Sequence, residues 1–348
     1  MSLPKIALVF GGRSPEHEVS VLSAASVLEA VDQKKYEMIP LGITTDGRWV
    51  EPEKSTKVLT QGLKTVDQIL TKKQSIAASF QNFLSQDFTA VFPLIHGPGG
   101  EDGTLQGFFE LLDIPYVGPG VLSSALGMDK AAVKKVFAFH KLPQADFMLL
   151  KKEEYEHIKF TQLKNKIINK LELPLFVKPA NMGSSIGISK VNKSSELEDA
   201  LELAFDYDHK LVLEENVLGR ELECSVLGGR KYEVSQPGEI KPDEDFYDYQ
   251  AKYEDEQTKL IIPAQLKPEV ISQMKELAAE AFQAIDGYGL CRVDFFLREK
   301  DQKLLINELN TLPGFTEYSM YPKLWSVSGL SYPDLIDRLI TLALNKEK

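Results

Sequence analysis

The sequence predicts a mixed chain: an N-terminal α/β domain on a doubly wound parallel sheet, then an α+β portion around antiparallel sheet. Three observations predict it. In the first third, short apolar runs ended by glycine alternate with helix-forming stretches, the pattern of parallel strands and crossover helices. Further on, strands follow one another through loops and a charged hairpin, the pattern of antiparallel pairing. The length of 348 residues fits two or three domains of roughly 150 residues each.

Residues 6–10 form an apolar run stopped by Gly11-Gly12 and read as a buried strand. Ser14-Pro15 offers an N-cap and a proline at the first helical position, so a helix is expected over 16–31. Residues 36–44 read as a second strand and Asp46-Gly47 as a turn; 51–86 carry no clear period. A third strand is expected at 90–95, then a glycine-rich loop and a helix at 104–112. The next expectations are one helix over 123–140 and strands at 175–178, 188–191, 211–215 and 222–227. Residues 243–257 form a long acidic and aromatic loop, a length that in compact domains marks lids or linkers. A helix at 268–285, strands at 291–297 and 303–310 joined by a charged hairpin, and a closing helix at 333–344 complete the chain.

Composition narrows the function classes. With 43% hydrophobic and 26% charged residues the chain is an ordinary folded protein with material for a sizeable core. A net charge of −11 argues against a nucleic-acid backbone as partner, but a locally basic site for a small anion is compatible with it. Cys224 and Cys291 lie in apolar surroundings and read as buried thiols of a reducing compartment. No apolar run approaches the ~20 residues of a membrane span, and Met1 to Lys5 carries no export pattern. A cytoplasmic protein is expected.

The strongest chemical signal is CRVDFFLREKDQKLLINELN. Side chains two apart on a strand share a face, so Arg292 joins Asp294 on one strand and Glu308 joins Asn310 on the next. A hairpin brings both strands together, and one face then offers two carboxylates, an amide oxygen and a guanidinium. Hard oxygen donors of this kind suit Mg²⁺ or Mn²⁺ completed by water and phosphate oxygens. The pattern also admits a plain salt bridge from Arg292 to Asp294 or Glu308.

In LFVKPANMGSSIGISKV, Lys178 ends a strand and Gly183-Ser184-Ser185 and Gly187 follow. Glycines let backbone N–H groups approach an anion, and hydroxyls add donors. The order is not that of a Walker loop, where the lysine follows the glycines and opens a helix. A plain hairpin turn is the other reading. Lys130, in GMDK, stands at a helix start, where a lysine is most often solvated. HGPGGEDG places His96 after a strand and Glu101-Asp102 before a helix, where carboxylates complement the dipole. Five histidines in the whole chain give little support to a Ser–His–Asp hydrolase.

On GGRSPEHEVS, HGPGGEDGTLQG, VKPANMGSSIGISKV, FYDYQAKY, CRVDFF and INELNTLPGFTEYS, the chain resembles, nearly end to end, the D-alanine–D-alanine ligase family of the ATP-grasp superfamily. The resemblance implies an N-terminal substrate domain at 1–121 and a two-part ATP-grasp fold with antiparallel sheets at 122–213 and 214–348. The 243–257 loop becomes a lid, and ATP lies between the last two parts. It implies ligation of two D-alanines through an acyl phosphate, releasing ADP and phosphate for peptidoglycan synthesis, in a homodimer with two Mg²⁺ or Mn²⁺ ions.

The resemblance also implies roles. Glu16 would hold the ammonium of the first D-alanine, in a triad with Ser184 and Tyr253, with His96 nearby. Lys130, Lys178 and Lys252 would contact the phosphates, with Ser185 in the phosphate loop. Glu214 would face adenine, and Glu221 the ribose. Arg292 and the Gly314 N–H would stabilise the oxyanion, and Ser319 would bind the second carboxylate. Asp294, Glu308 and Asn310 would hold the metal ions, in agreement with the strand-face argument. Tyr253 would favour D-alanine over D-lactate as second substrate. Met182 and Asn216-Val217 stand where some relatives carry a glutamate and an aromatic. The alternatives are a ligase using D-lactate or D-serine as second substrate, and a non-catalytic nucleotide-binding regulator.

Overall fold

The computed structural model describes residues 2–69, 74–241 and 259–346. Its first sheet has three parallel strands, β1 (Lys5–Gly11), β2 (Glu37–Ile43) and β3 (Ala90–Pro93), in the order β2-β1-β3. Alternation along β1 explains the two layers around it. Ile6, Leu8 and Phe10 pack with Val21, Ala24 and Val27 of helix His17–Ala30, while Ala7 and Val9 pack with Trp49, Phe83 and Phe109 on the other side. A sheet buried on both faces is what the near-continuous apolar strands required.

A second, antiparallel sheet holds β4 (Phe147–Lys151), β5 (Leu175–Pro179), β6 (Ser189–Val191) and β7 (Lys210–Glu215) in the order β4-β7-β5-β6. Helices Phe160–Leu171 and Leu197–Phe205 bury its back through Leu163, Ile167, Leu197 and Leu201. The third sheet comprises β8 (Gly219–Gly228), β9 (Tyr232–Val234), β10 (Gly238–Lys241), β11 (Lys259–Ile261), β12 (Gly289–Arg298) and β13 (Leu304–Asn310). Its order is β11-β10-β8-β12-β13, with β9 also on β8. One face, including Leu222, Cys224, Val293 and Phe295, lies against helix Pro268–Ala284. Both thiols are buried, and burial pushes them well above the ordinary thiol range. Among the described residues no helix is long and apolar enough to cross a membrane.

Three local expectations change. Ser14 does not cap the first helix: its Oγ accepts from the Glu16 N–H at 3.1 Å, and the helix begins at His17. That turn leaves the Glu16 side chain outside the helix and directed into the site. The helix expected over 123–140 is two helices, Val121–Met128 and Lys130–Phe139, broken at Asp129. Asp129 is extended (φ −85°, ψ 94°), and its carboxylate caps the second helix by accepting from the N–H groups of Ala131 and Ala132. Residues 51–86, without a clear period, contain helix Pro52–Thr60 and shorter turns of helix. The 243–257 loop lies outside the described residues.

The C-terminal helix Tyr332–Leu344 does not pack on its own sheet alone. Leu335, Ile336, Leu339 and Ile340 complete the core over β1 and β3, so the chain end closes the first domain.

Candidate active site

The polar face of the third sheet is built by period-2 alternation. On β8, Glu221, Glu223 and Ser225 alternate with the core residues Leu222, Cys224 and Val226; on β12, Arg292 and Asp294 alternate with Cys291, Val293 and Phe295. The β12–β13 register sets Arg292 opposite Asn310 and Asp294 opposite Glu308. A register shift between Asp294 and Phe295, which pairs with Ile306, leaves Asn307 as an extra residue on β13. This bulge decides the site. Leu304 and Ile306 face the core, so regular alternation would send Glu308 and Asn310 there as well; the extra residue turns them onto the polar face and puts Leu309 in the core.

Arg292 forks onto Asp294, with both N···O distances 2.7 Å, and reaches Glu223 at 3.0 Å. Burial opposes its charge, but Asp294 and Glu223 more than compensate and raise the guanidinium well above its ordinary value. The salt bridge that the pattern admitted is therefore present, yet it is a buried network rather than an exposed pair. Glu223 was missed by sequence reasoning; the alternation in ELECSV, which sets Glu221 and Glu223 on one face, is the signal that could have found it.

Lys130 starts its helix and is held over the site rather than solvated. Its Nζ donates to the Met182 carbonyl at 2.8 Å and lies 3.5 Å from Glu308. Position 182 thus contributes its backbone carbonyl, which any residue supplies. Lys178, on β5, ion-pairs with Glu214 of β7, and Glu214 also pairs with the buried Lys134. Burial pushes Glu214 up, but the two ammonium groups bring it down to about 2.

The loop after Lys178 carries Ser184 and Ser185 at φ 49° and 59°, a left-handed conformation that non-glycine residues seldom adopt. The Ser184 hydroxyl donates to Glu16 Oε1 at 2.5 Å, joining the central loop to the first domain. A Cβ at Gly97 would stand 2.7 Å from the other Glu16 oxygen, so glycine there makes room for the carboxylate. Gly183 to Gly187 also spell G-x-S-x-G. The segment connects two antiparallel strands, not a strand to a helix, so Ser185 is not on a nucleophile elbow. Tyr253 and Lys252 lie outside the described residues.

His96 is buried and neutral. Its Nδ1–H donates to the Leu312 carbonyl at 2.9 Å and its Nε2 accepts from Ser23 at 3.0 Å, while burial lowers its basicity. The Phe315 N–H donates to Ser23 at 3.3 Å, and the Glu317 N–H donates to Ser26 at 3.1 Å. The loop after β13 is thereby tied to the first domain. In that loop Ser319 Oγ accepts from the Thr316 N–H at 3.1 Å and stands 3.2 Å from where a Cβ on Gly314 would be. Glu221 shares the face of Glu223.

Of the acidic pair Glu101-Asp102, Asp102 shapes the turn, accepting from Gly99 and Thr104 N–H groups at 2.8 and 3.0 Å. Glu101 instead turns inward, 3.8 Å from His96. Burial first, and the Glu16 carboxylate second, push Glu101 up to about 8. A carboxyl raised from 4.5 binds its proton more tightly folded than unfolded, so the associated stability is present at low pH and lost as pH rises from about 4.5 through about 8. The melting temperature of the ligand-free protein should decline over that window. Glu101→Gln, neutral at every pH, should flatten the decline; an unchanged pH profile in the variant would remove Glu101 as its source.

The comparisons with known proteins agree with this arrangement. The family model "D-ala D-ala ligase N-terminus" matches residues 5–119 and "D-ala D-ala ligase C-terminus" matches 136–341. The D-alanine–D-alanine ligase of Halothermothrix orenii is 53% identical over 344 residues, covering 99% of both chains. That of Staphylococcus carnosus is 46% identical over 351 residues, covering 99% of this chain and 97% of the relative. Among solved structures, the D-alanine–D-alanine ligase from Coxiella burnetii superposes with a TM-score of 0.82 at 34% identity, covering 99% of this chain and 95% of the other. The VanG D-Ala:D-Ser ligase from Enterococcus faecalis gives 0.81 at 36% identity, covering 98% and 100%. With both family models and full-length relatives matched, the chain belongs to the D-alanine–D-alanine ligase family.

Proposed function

We propose that this chain joins two D-alanines to D-alanyl-D-alanine at the expense of ATP, for peptidoglycan synthesis in the cytoplasm. The observation that carries the reading is the buried polar face of β8, β12 and β13, with Arg292 between carboxylates, in a chain 53% identical to a D-alanine–D-alanine ligase. The carboxylate of the first D-alanine attacks the γ-phosphorus of ATP, forming an acyl phosphate and releasing ADP. The amine of the second attacks the acyl carbon, and phosphate leaves.

In this reading Glu16, oriented by Ser184 and Tyr253, holds the first ammonium, and neutral His96 borders that substrate. Lys130, Lys178 and Lys252 meet the phosphates with Ser185, Glu214 faces adenine and Glu221 the ribose. Arg292 and the Gly314 N–H receive the oxyanion, where fixed donors need no reorganisation as charge develops. Ser319 takes the second carboxylate. The described residues contain no group of three His, Cys, Asp or Glu side chains arranged for a metal. The donor set here is instead Asp294, Glu308 and the Asn310 amide. These all-oxygen donors fit two Mg²⁺ or Mn²⁺ ions that take water and phosphate as further ligands. When bound, such ions neutralise charge on the triphosphate.

In this reading the chain divides at 1–121, 122–213 and 214–348, one sheet to each part except that β7 of the second sheet runs on to Glu215, with the lid at 243–257, and a homodimer completes the reading. The test is ADP release with ATP, Mg²⁺ and single D-amino or D-hydroxy acids, with product identification. D-Alanine alone should sustain release and yield the dipeptide. Turnover only when D-serine or D-lactate is added would move the second-substrate assignment, and nucleotide binding without turnover would favour the regulator.

A further inference from the structure

Against the second sheet packs a buried lysine that the reaction as described does not use. Lys134, one helical turn after Lys130 on helix Lys130–Phe139, is only 2% exposed. It ion-pairs with one oxygen of Glu214 while Lys178 takes the other. Glu214 lies opposite Phe147 on β4 and Phe176 on β5, and the rings of these neighbours sit under the two ammonium groups. Lys134 Nζ is 5.3 Å from the Phe147 centroid, and Lys178 Nζ is 5.7 Å from that of Phe176. The helix is fastened where Lys134 leaves it. Its first N–H donates to the Ala180 carbonyl at 2.9 Å, and Gln144 donates to the Lys134 carbonyl at 3.0 Å.

The charge count of this cluster is informative. One ammonium is enough to neutralise Glu214. The second leaves these three groups with one positive charge in excess, in surroundings that screen it weakly, and the Glu308 and Glu221 carboxylates act on Lys178 from outside the cluster. Lys134 is buried between its helix and the sheet, whereas Lys178 heads the glycine-serine loop. We infer that Lys134 is a positioning residue: it neutralises and orients Glu214, so that the charge of Lys178 remains available to the nucleotide phosphates. The inference rests on the proposed ATP site and adds a residue to it. Without Lys134, Lys178 would be the sole partner of a buried carboxylate, and the surplus charge would vanish.

The test compares Lys134→Met, Lys134→Gln and Lys134→Arg in the full-length protein, by calorimetric binding of ADP and of adenosine and by steady-state kinetics. Lys134→Met should weaken ADP binding about tenfold or more and raise KM for ATP in proportion. The kcat and the KM for D-alanine should stay near those of the parent protein, and adenosine affinity, which senses the loss only through Glu214, should fall less than ADP affinity. Lys134→Gln keeps a hydrogen-bond donor for Glu214 without its charge and should show the same loss, which covers the case of a poorly folded methionine variant. Lys134→Arg should retain ADP affinity within about threefold. Unchanged ADP affinity in the uncharged variants, or equal weakening of ADP and adenosine, would overturn the inference. Failure of the parent protein to bind ADP would instead overturn the reading of the site beneath it.

Discussion

Glu308→Gln should reduce D-alanine-dependent ADP release by about 10²–10³-fold, the size expected when one preorganised electrostatic group is removed from a phosphoryl-transfer site. The change is isosteric. Glu308 is only partly buried and the Lys130 ammonium is 3.5 Å away, so the fold should survive and the melting temperature should move little. What is lost is negative charge opposite Asp294, and with it the ability to hold divalent cations. The apparent Mg²⁺ requirement should shift to higher concentration as turnover falls. Turnover close to that of the parent protein would remove the β12–β13 face from the chemistry and leave the regulator reading in its place.

Arg292→Met should damage both activity and stability. Asp294 and Glu223 now meet a guanidinium at 2.7 and 3.0 Å in a buried setting. Methionine leaves these carboxylates without that cation, and breaking a buried pair by removing one partner costs about 3–5 kcal/mol. Unfolding in denaturant should report that loss, and ADP release should fall by about 10²–10³-fold with the oxyanion donor gone. Arg292→Lys should be intermediate in stability, because one ammonium replaces the charge but cannot fork onto Asp294 while reaching Glu223. A stable Arg292→Met protein would mean that the carboxylates find other partners, and retained turnover would exclude Arg292 from oxyanion stabilisation.

Much of the fold was legible because its signals are local. Five apolar residues before Gly11-Gly12 announce β1, and Pro268 announces its helix. The two-residue period pairs Arg292 with Asp294 and Glu308 with Asn310. The break at Asp129 was hidden because both flanking segments are good helix formers; only the cap geometry reveals it. Lys134 was hidden for a related reason. In a helix, a lysine next to Lys135 reads as a solvated pair, and nothing nearby in the chain announces that Phe147 and Glu214 will cover one of them.

By itself the sequence determined the strand periods, the glycine-serine loop, the residues proposed as oxygen donors and the family. The tertiary structure alone decided where those groups face. The Asn307 bulge turns Glu308 and Asn310 out of the core, the short turn at Ser14 frees Glu16 to meet Ser184, and helix Tyr332–Leu344 closes a sheet formed at the opposite end of the chain. The reason is one of range. A period is written in a few neighbouring residues, whereas the direction of a face is set by whichever apolar surface the finished core offers, and here that surface comes from hundreds of residues away.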